Sequence, residues 1–159
     1  MVHTALSIKG LEKRYGRVSV LRDIALDVAA GECFGLVGAN GAGKTTLIKC
    51  LLDLNRADSG KIDLFDVDSR DIQARSRLAF LPERFAPPHH LNGWRFLRTM
   101  ADLYQCNVGD AEIEAAVQSL DLSPAALNKP VRAYSTGMAQ KLGLAACVLS
   151  GKDLLVLDE

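Results

Sequence analysis

No stretch of this 159-residue chain approaches the ~18 consecutive apolar residues that cross a bilayer as a helix, so by itself it cannot form a helical channel. The opening residues, Met1 to Arg17, carry their charges early and contain no apolar core of the kind a secretory leader has; no signal peptide is expected. An excess of either charge is missing too. Lys+Arg and Asp+Glu both number 19, which argues against nucleic-acid binding, where a net basic surface is the rule. Cysteines are few (Cys33, Cys50, Cys106, Cys147) and too scattered for a local metal knuckle; they read as reduced, mostly core-packing thiols of a cytosolic protein. There is no internal repeat and no low-complexity stretch.

What the chain does contain is an ordered change of periodicity. Leu6 and Ile8, Val18 and Val20, and Ile24, Leu26 and Val28 recur at period two, the pattern of an antiparallel β-layer. Cys33 to Val37 is a short apolar run, the form of a buried parallel strand. A glycine-rich turn spans Gly38 to Gly43, and a helix is expected from Lys44 to Leu54, with Leu47, Ile48, Leu51 and Leu52 on one side. Asp58-Ser59-Gly60 reads as a turn before a further strand at Ile62 to Phe65, and Leu78 to Leu81 is apolar until Pro82. After Pro87-Pro88 the period becomes helical, with helices around Leu97 to Tyr104 and Ile113 to Leu120. Ser123-Pro124 should cap a short third helix, and a fourth runs from about Met138 to Leu149. Leu154 to Leu157 reads as a buried strand ending in Asp158-Glu159. The expectation is an α/β fold: a core of residues 1–84 and 133–159, interrupted by a helical subdomain of residues 85–132.

Gly38-Ala39-Asn40-Gly41-Ala42-Gly43-Lys44-Thr45 fits the pattern G-x-x-x-x-G-K-[ST] at every fixed position. Glycines let the backbone curl until successive N–H groups point at one centre, and a following helix adds the partial positive charge of its N-terminus. Lys44 is expected to reach the β- and γ-phosphates of a nucleotide, Thr45 to offer its hydroxyl to Mg²⁺, and Thr46 to touch the α-phosphate. The motif alone defines a P-loop NTPase and does not choose among kinases, GTPases and transport ATPases. At the far end, a strand finishing in Asp158 would deliver a carboxylate to the edge of the sheet where ligands sit. Asp158 is expected to hold Mg²⁺ through water, and Glu159 to orient the attacking water as general base.

Two further segments identify a family. Ala133 to Leu142 contains Tyr134-Ser135-Thr136-Gly137-Met138 just before a helix, and resembles the signature segment of ATP-binding cassette (ABC) ATPases. Ser135 and Gly137 match that segment; Tyr134, Thr136 and Met138 depart from its commonest form and look like an exporter-type variant. Phe80-Leu81-Pro82-Glu83 sits where the family places its glutamine loop, with Glu83 in place of glutamine; a carboxylate there is still a hard oxygen ligand for Mg²⁺. Tyr15 matches the aromatic position that stacks on adenine. The resemblance runs in order through the whole chain.

That resemblance implies an ABC transporter ATP-binding subunit that binds ATP and Mg²⁺. It would pair head to tail with a second cassette, as homodimer or heterodimer, each cradle meeting the partner's Ser135, Thr136 and Gly137. It would drive a membrane permease from the cytoplasmic face, with a lean towards export. Part of the helical surface around Trp94 would dock the permease, whereas His89-His90 reads as a solvated loop. The family continues past Glu159 with a strand-end histidine, so the chain is expected to be a fragment or truncated frame, weakly active or inactive in isolation, with unpaired apolar sheet surface. The alternatives are a soluble ABC ATPase of translation or DNA repair, and a nucleotide-binding protein without hydrolysis.

Overall fold

A computed structural model describes residues 3–158. The described chain forms two compact units, Met1–Leu78 and Ala79–Glu159.

The first unit is built on the expected antiparallel layer. Strand β1 (Thr4–Tyr15) and strand β2 (Val18–Ala29) form a long hairpin, joined by the two residues Gly16 and Arg17 between the Tyr15–Val18 pair. Strand β3 (Ser59–Leu64) pairs antiparallel with the other edge of β1, and the short strand β4 (Val67–Asp68) follows it, giving the order β2-β1-β3-β4. β1 is therefore central, and its inward residues Leu6, Ile8 and Leu11 are buried together with Ile62 and Leu64. The segment Asp58-Ser59-Gly60, expected as a turn, is already the entry to β3. Asp58 accepts the backbone N–H of Arg14 at 2.6 Å and the Lys13 ammonium at 3.2 Å. Helix α1 (Lys44–Leu51) buries Leu47, Cys50 and Leu51 and ends three residues earlier than the periodicity suggests. Helix α2 (Ile72–Arg75) is one turn, capped by Asp71 accepting from Gln73 N.

The run Cys33 to Val37 is not a buried strand. It has no regular structure, and Phe34, Leu36 and Val37 are 45, 41 and 95% exposed. An apolar run becomes a strand only where neighbouring strands complete its hydrogen bonds, and no described strand pairs with this one. Cys33 is accordingly exposed, whereas burial pushes the thiols of Cys50 and Cys147 up.

The second unit holds strand β5 (Leu78–Leu81), helices α3 (Gly93–Tyr104), α4 (Asp110–Ser119) and α5 (Thr136–Leu149), and strand β6 (Leu154–Leu157), which pairs with β5. Phe96, Leu97, Ile113, Val117, Leu127 and Leu142 lie at its centre. A side chain at Gly143 would come within 2.6 Å of Leu81 and 2.8 Å of Phe85, so glycine is what lets α5 pack this close to β5. The helix expected at Ser123-Pro124 is a 3-10 turn over Pro124–Asn128, and Ser123 makes no side-chain cap. β6 is only half-buried: Leu155 and Leu157 are 40 and 49% exposed, because the described sheet offers it one partner strand.

Acid should loosen the first unit in a defined window. The Arg14 N–H and the Lys13 ammonium lower the Asp58 carboxyl, and the Arg70 guanidinium pulls Asp68 down to about 2 from an ordinary 3.8. Both folded values are depressed, so the stability they contribute is present above the ordinary carboxylate range and lost as pH falls from 3.8 to about 2. Thermal melts between pH 5 and pH 2.5 should show this decline, and the double variant Asp58→Asn, Asp68→Asn should flatten it. An unchanged decline in the double variant would place its origin elsewhere.

Candidate nucleotide site

The cradle residues occupy the end of a loop and the first turn of α1. Gly43 precedes the helix at φ 99°, in the left-handed region. That conformation favours glycine, and a Cβ there would also be tight, 3.1 Å from Leu21 and Val20 side chains and 3.2 Å from the Val20 carbonyl. Gly41 is also left-handed, at φ 83°. Gly38, Asn40, Gly41 and Ala42 are exposed, with Ala42 N donating to Ala39 O at 3.0 Å.

The start of α1 differs from the other helices. Asp71, Asn92, Glu112 and Ser135 supply acceptors to the first turns of α2, α3, α4 and α5, while α1 receives no side-chain cap. Helix α1 begins at Lys44, so the partial positive charge of its N-terminus lies directly behind the glycine loop, an arrangement that suits an anion. The Lys44 ammonium folds back over the loop, donating to Gly38 O at 2.7 Å and Ala39 O at 3.4 Å. A phosphate at the loop would offer this ammonium a charged acceptor in place of a neutral carbonyl, a hydrogen bond roughly twice as strong. Thr45 is exposed and Thr46 half-buried in the same turn.

In the second unit the ends of β5 and β6 lie side by side, since Asp158 N donates to Leu81 O at 2.9 Å. Asp158 is buried, at 8% exposure, and Glu83 follows two residues after Leu81 with an exposed side chain. Glu159 lies outside the described residues. Each unit by itself carries hard oxygen donors of the kind Mg²⁺ takes: the first the Thr45 hydroxyl, the second the Asp158 and Glu83 carboxylates at adjacent strand ends. Such sparse sets suit Mg²⁺, which keeps water and phosphate oxygens in its shell.

The signature residues form a second anion-ready helix start. Ser135 caps α5, its Oγ accepting from Met138 N at 3.2 Å. That bond uses a lone pair of the hydroxyl and leaves its proton free to donate outward. Thr136 and Gly137 begin the helix two residues before the expected Met138, so their N–H groups are among those without intrahelical partners. Ser135, Thr136 and Gly137 are all exposed, and a Cβ at Gly137 would meet nothing within 4 Å. Gln140 of the same helix donates to Glu83 O at 2.7 Å, tying the signature helix to the glutamate loop. Sequence reasoning missed this link; a polar residue one helical turn after a cap carries no signal of its partner.

Tyr15 ends β1 as a residue 48% exposed, and Asn55 donates to its hydroxyl at 2.8 Å. His89 and His90 are exposed in a turn. Among the described residues no helix is long and apolar enough to cross a membrane.

An uncapped glycine loop bearing a lysine, an acidic strand end and a serine-capped helix with an open glycine define a P-loop nucleotide-binding domain. The ABC transporter family model matches residues 21–159, and the chain belongs to that family. It is 36% identical over 163 residues to a daunorubicin resistance ATP-binding protein of Streptomyces coeruleorubidus, covering 100% of this chain and 51% of that one. It is 34% identical over 164 residues to a Nod factor export ATP-binding protein of Ralstonia nicotianae, covering 97% and 49%. A solved ATP-binding subunit of an ABC transporter superposes with a TM-score of 0.82 at 30% identity, covering 98% of this chain and 66% of that one. The chain spans about half the length of the curated relatives it matches.

Proposed function

We propose that this chain is the ATP-binding and ATP-hydrolysing portion of a transporter subunit that works on a separate membrane permease, in the direction of export. The observation that carries the reading is the pairing, in one chain, of two helix starts suited to anions: that of α1 behind the glycine loop and that of α5 capped by Ser135. Each is half of a phosphate sandwich. Two cassettes placed head to tail would close each half with the other, so that Ser135, Thr136 and Gly137 of one copy face the γ-phosphate held by Lys44 of its partner. In this assembly residues 1–84 and 133–159 form the core and 85–132 the helical subdomain. The direction is supported by the Nod factor export relative and by the variant signature.

Lys44 releases the carbonyls of Gly38 and Ala39 and takes the β- and γ-phosphates. Gly38, Asn40, Gly41, Ala42 and Gly43 present the loop backbone. Thr45 would offer its hydroxyl to Mg²⁺ and Thr46 would meet the α-phosphate, while Asp158 and Glu83 would help to hold the ion; bound there, Mg²⁺ would supply positive charge to the phosphates. Glu159 orients the attacking water and draws its proton. Tyr15 stacks on the base. Ser135 donates its hydroxyl proton to the partner's γ-phosphate, and the Gly137 N–H adds a second donor. The assembly would sit on the cytoplasmic face, held by the permease.

Detergent purification of the tagged, naturally expressed protein tests the transport role. An integral membrane protein should co-purify, and its presence should raise ATP turnover. Purification with ribosomes or DNA-repair factors and no membrane protein would overturn the reading in favour of a soluble ABC ATPase.

A further inference from the structure

Tyr15 is held more firmly than a surface ring at a strand end needs to be. Its hydroxyl accepts from Asn55 Nδ2 at 2.8 Å. Asn55 is itself fixed, because its backbone N–H and that of Leu54 both donate to Lys49 O, at 3.1 and 2.9 Å, closing the turn that follows α1. Lys13, two residues back and on the same side of β1, places its ammonium 5.4 Å from the ring centroid. That ammonium is locked in turn by Arg56 O at 2.6 Å and by Asp58, which also accepts from Arg14 N. The ring is anchored at its hydroxyl and flanked by one cation, yet the residue remains 48% exposed.

We infer that Asn55 is a positioning residue for the nucleotide base: by fixing the Tyr15 hydroxyl it orders the ring in advance, so that the exposed surface of the ring is ready to stack on a purine. The inference rests on the reading of Tyr15 as the base platform. A free surface tyrosine must lose side-chain freedom each time a base stacks on it, and a ring already held loses less. The hydrogen bond also connects base and phosphate recognition: the helix that begins at the phosphate cradle ends at Leu51, and the turn leaving it carries Asn55, the residue that holds the ring.

Titration calorimetry of the chain with MgATP and with Mg-tripolyphosphate, which has no base, tests this. Asn55→Ala should weaken MgATP binding by roughly 3- to 10-fold, and should leave tripolyphosphate binding unchanged. Tyr15→Phe keeps the ring and removes the hydroxyl, so adding Asn55→Ala to it should have no further effect. Equal weakening of both probes, or an undiminished effect of Asn55→Ala in the Tyr15→Phe background, would overturn the inference. So would an Asn55→Ala variant that binds MgATP normally while Tyr15→Ala binds it weakly; the base-platform reading would then survive alone. Unchanged MgATP binding by Tyr15→Ala would remove that reading and the inference with it.

Discussion

Replacing Lys44 by alanine is expected to lower ATP turnover by roughly 10²- to 10³-fold, the usual cost of losing one preorganised donor at a developing charge. The ammonium already lies over the cradle, 2.7 Å from Gly38 O, so a phosphate entering the loop finds it in place. Once it is removed, the α1 N-terminus and the loop amides still attract the nucleotide, but the positive charge of the lysine no longer follows the phosphates into the transition state. The fold should survive, because the packing of α1 depends on Leu47, Cys50 and Leu51 on its buried side. A stability change below about 1 kcal/mol is expected. Turnover and melting temperature measured together decide the matter. Unchanged turnover would remove Lys44 from the chemistry, and a collapse of both would make its role structural.

Gly137→Ala should separate function from stability in the opposite sense. Nothing lies within 4 Å of a methyl group at this position, and the backbone is ordinary helix. Alanine therefore fits the fold and, as the better helix former, could add up to about 1 kcal/mol. In the paired assembly that methyl would stand where the partner's phosphate approaches the Gly137 N–H. A displacement of ~1 Å at such a contact costs about 100-fold in rate. The expected result is an equal or higher melting temperature with turnover down by about two orders of magnitude. Ser135→Ala makes a useful contrast, since it also loses the helix cap, worth ~1 kcal/mol, and should lower both quantities. If Gly137→Ala keeps full turnover in the longer protein, α5 does not meet the partner's nucleotide.

Much of this was legible in the sequence because it is written locally. Period-two alternation marked β1 and β2, and the fixed glycines marked the left-handed loop that runs into α1 at Lys44. The features that were not legible depend on distant partners. Cys33 to Val37 has the composition of a buried strand, but composition does not supply the neighbour that would pair with it, and the segment is irregular and exposed. β6 has the same limitation on a smaller scale: four apolar residues suggest burial on both faces, yet Leu155 and Leu157 stay partly exposed. Ser123-Pro124 carries a good cap sequence, but the turn that follows is 3-10, and the Ala126 N–H donates to the Ser123 carbonyl at 2.8 Å rather than to its hydroxyl. Asn55 and Gln140 act across 40 and 57 residues of sequence, where no spacing rule applies.

The central claim is that Gly38 to Thr46 is a working phosphate cradle. Titration of the chain with MgATP, beside the Lys44→Ala variant, tests it most directly. The account predicts saturable binding of one nucleotide per chain, displaced by Mg-tripolyphosphate and strongly weakened in the variant. Saturable binding of equal strength in both proteins would place the nucleotide elsewhere and contradict the account, as would no binding at millimolar MgATP by a chain shown to be folded.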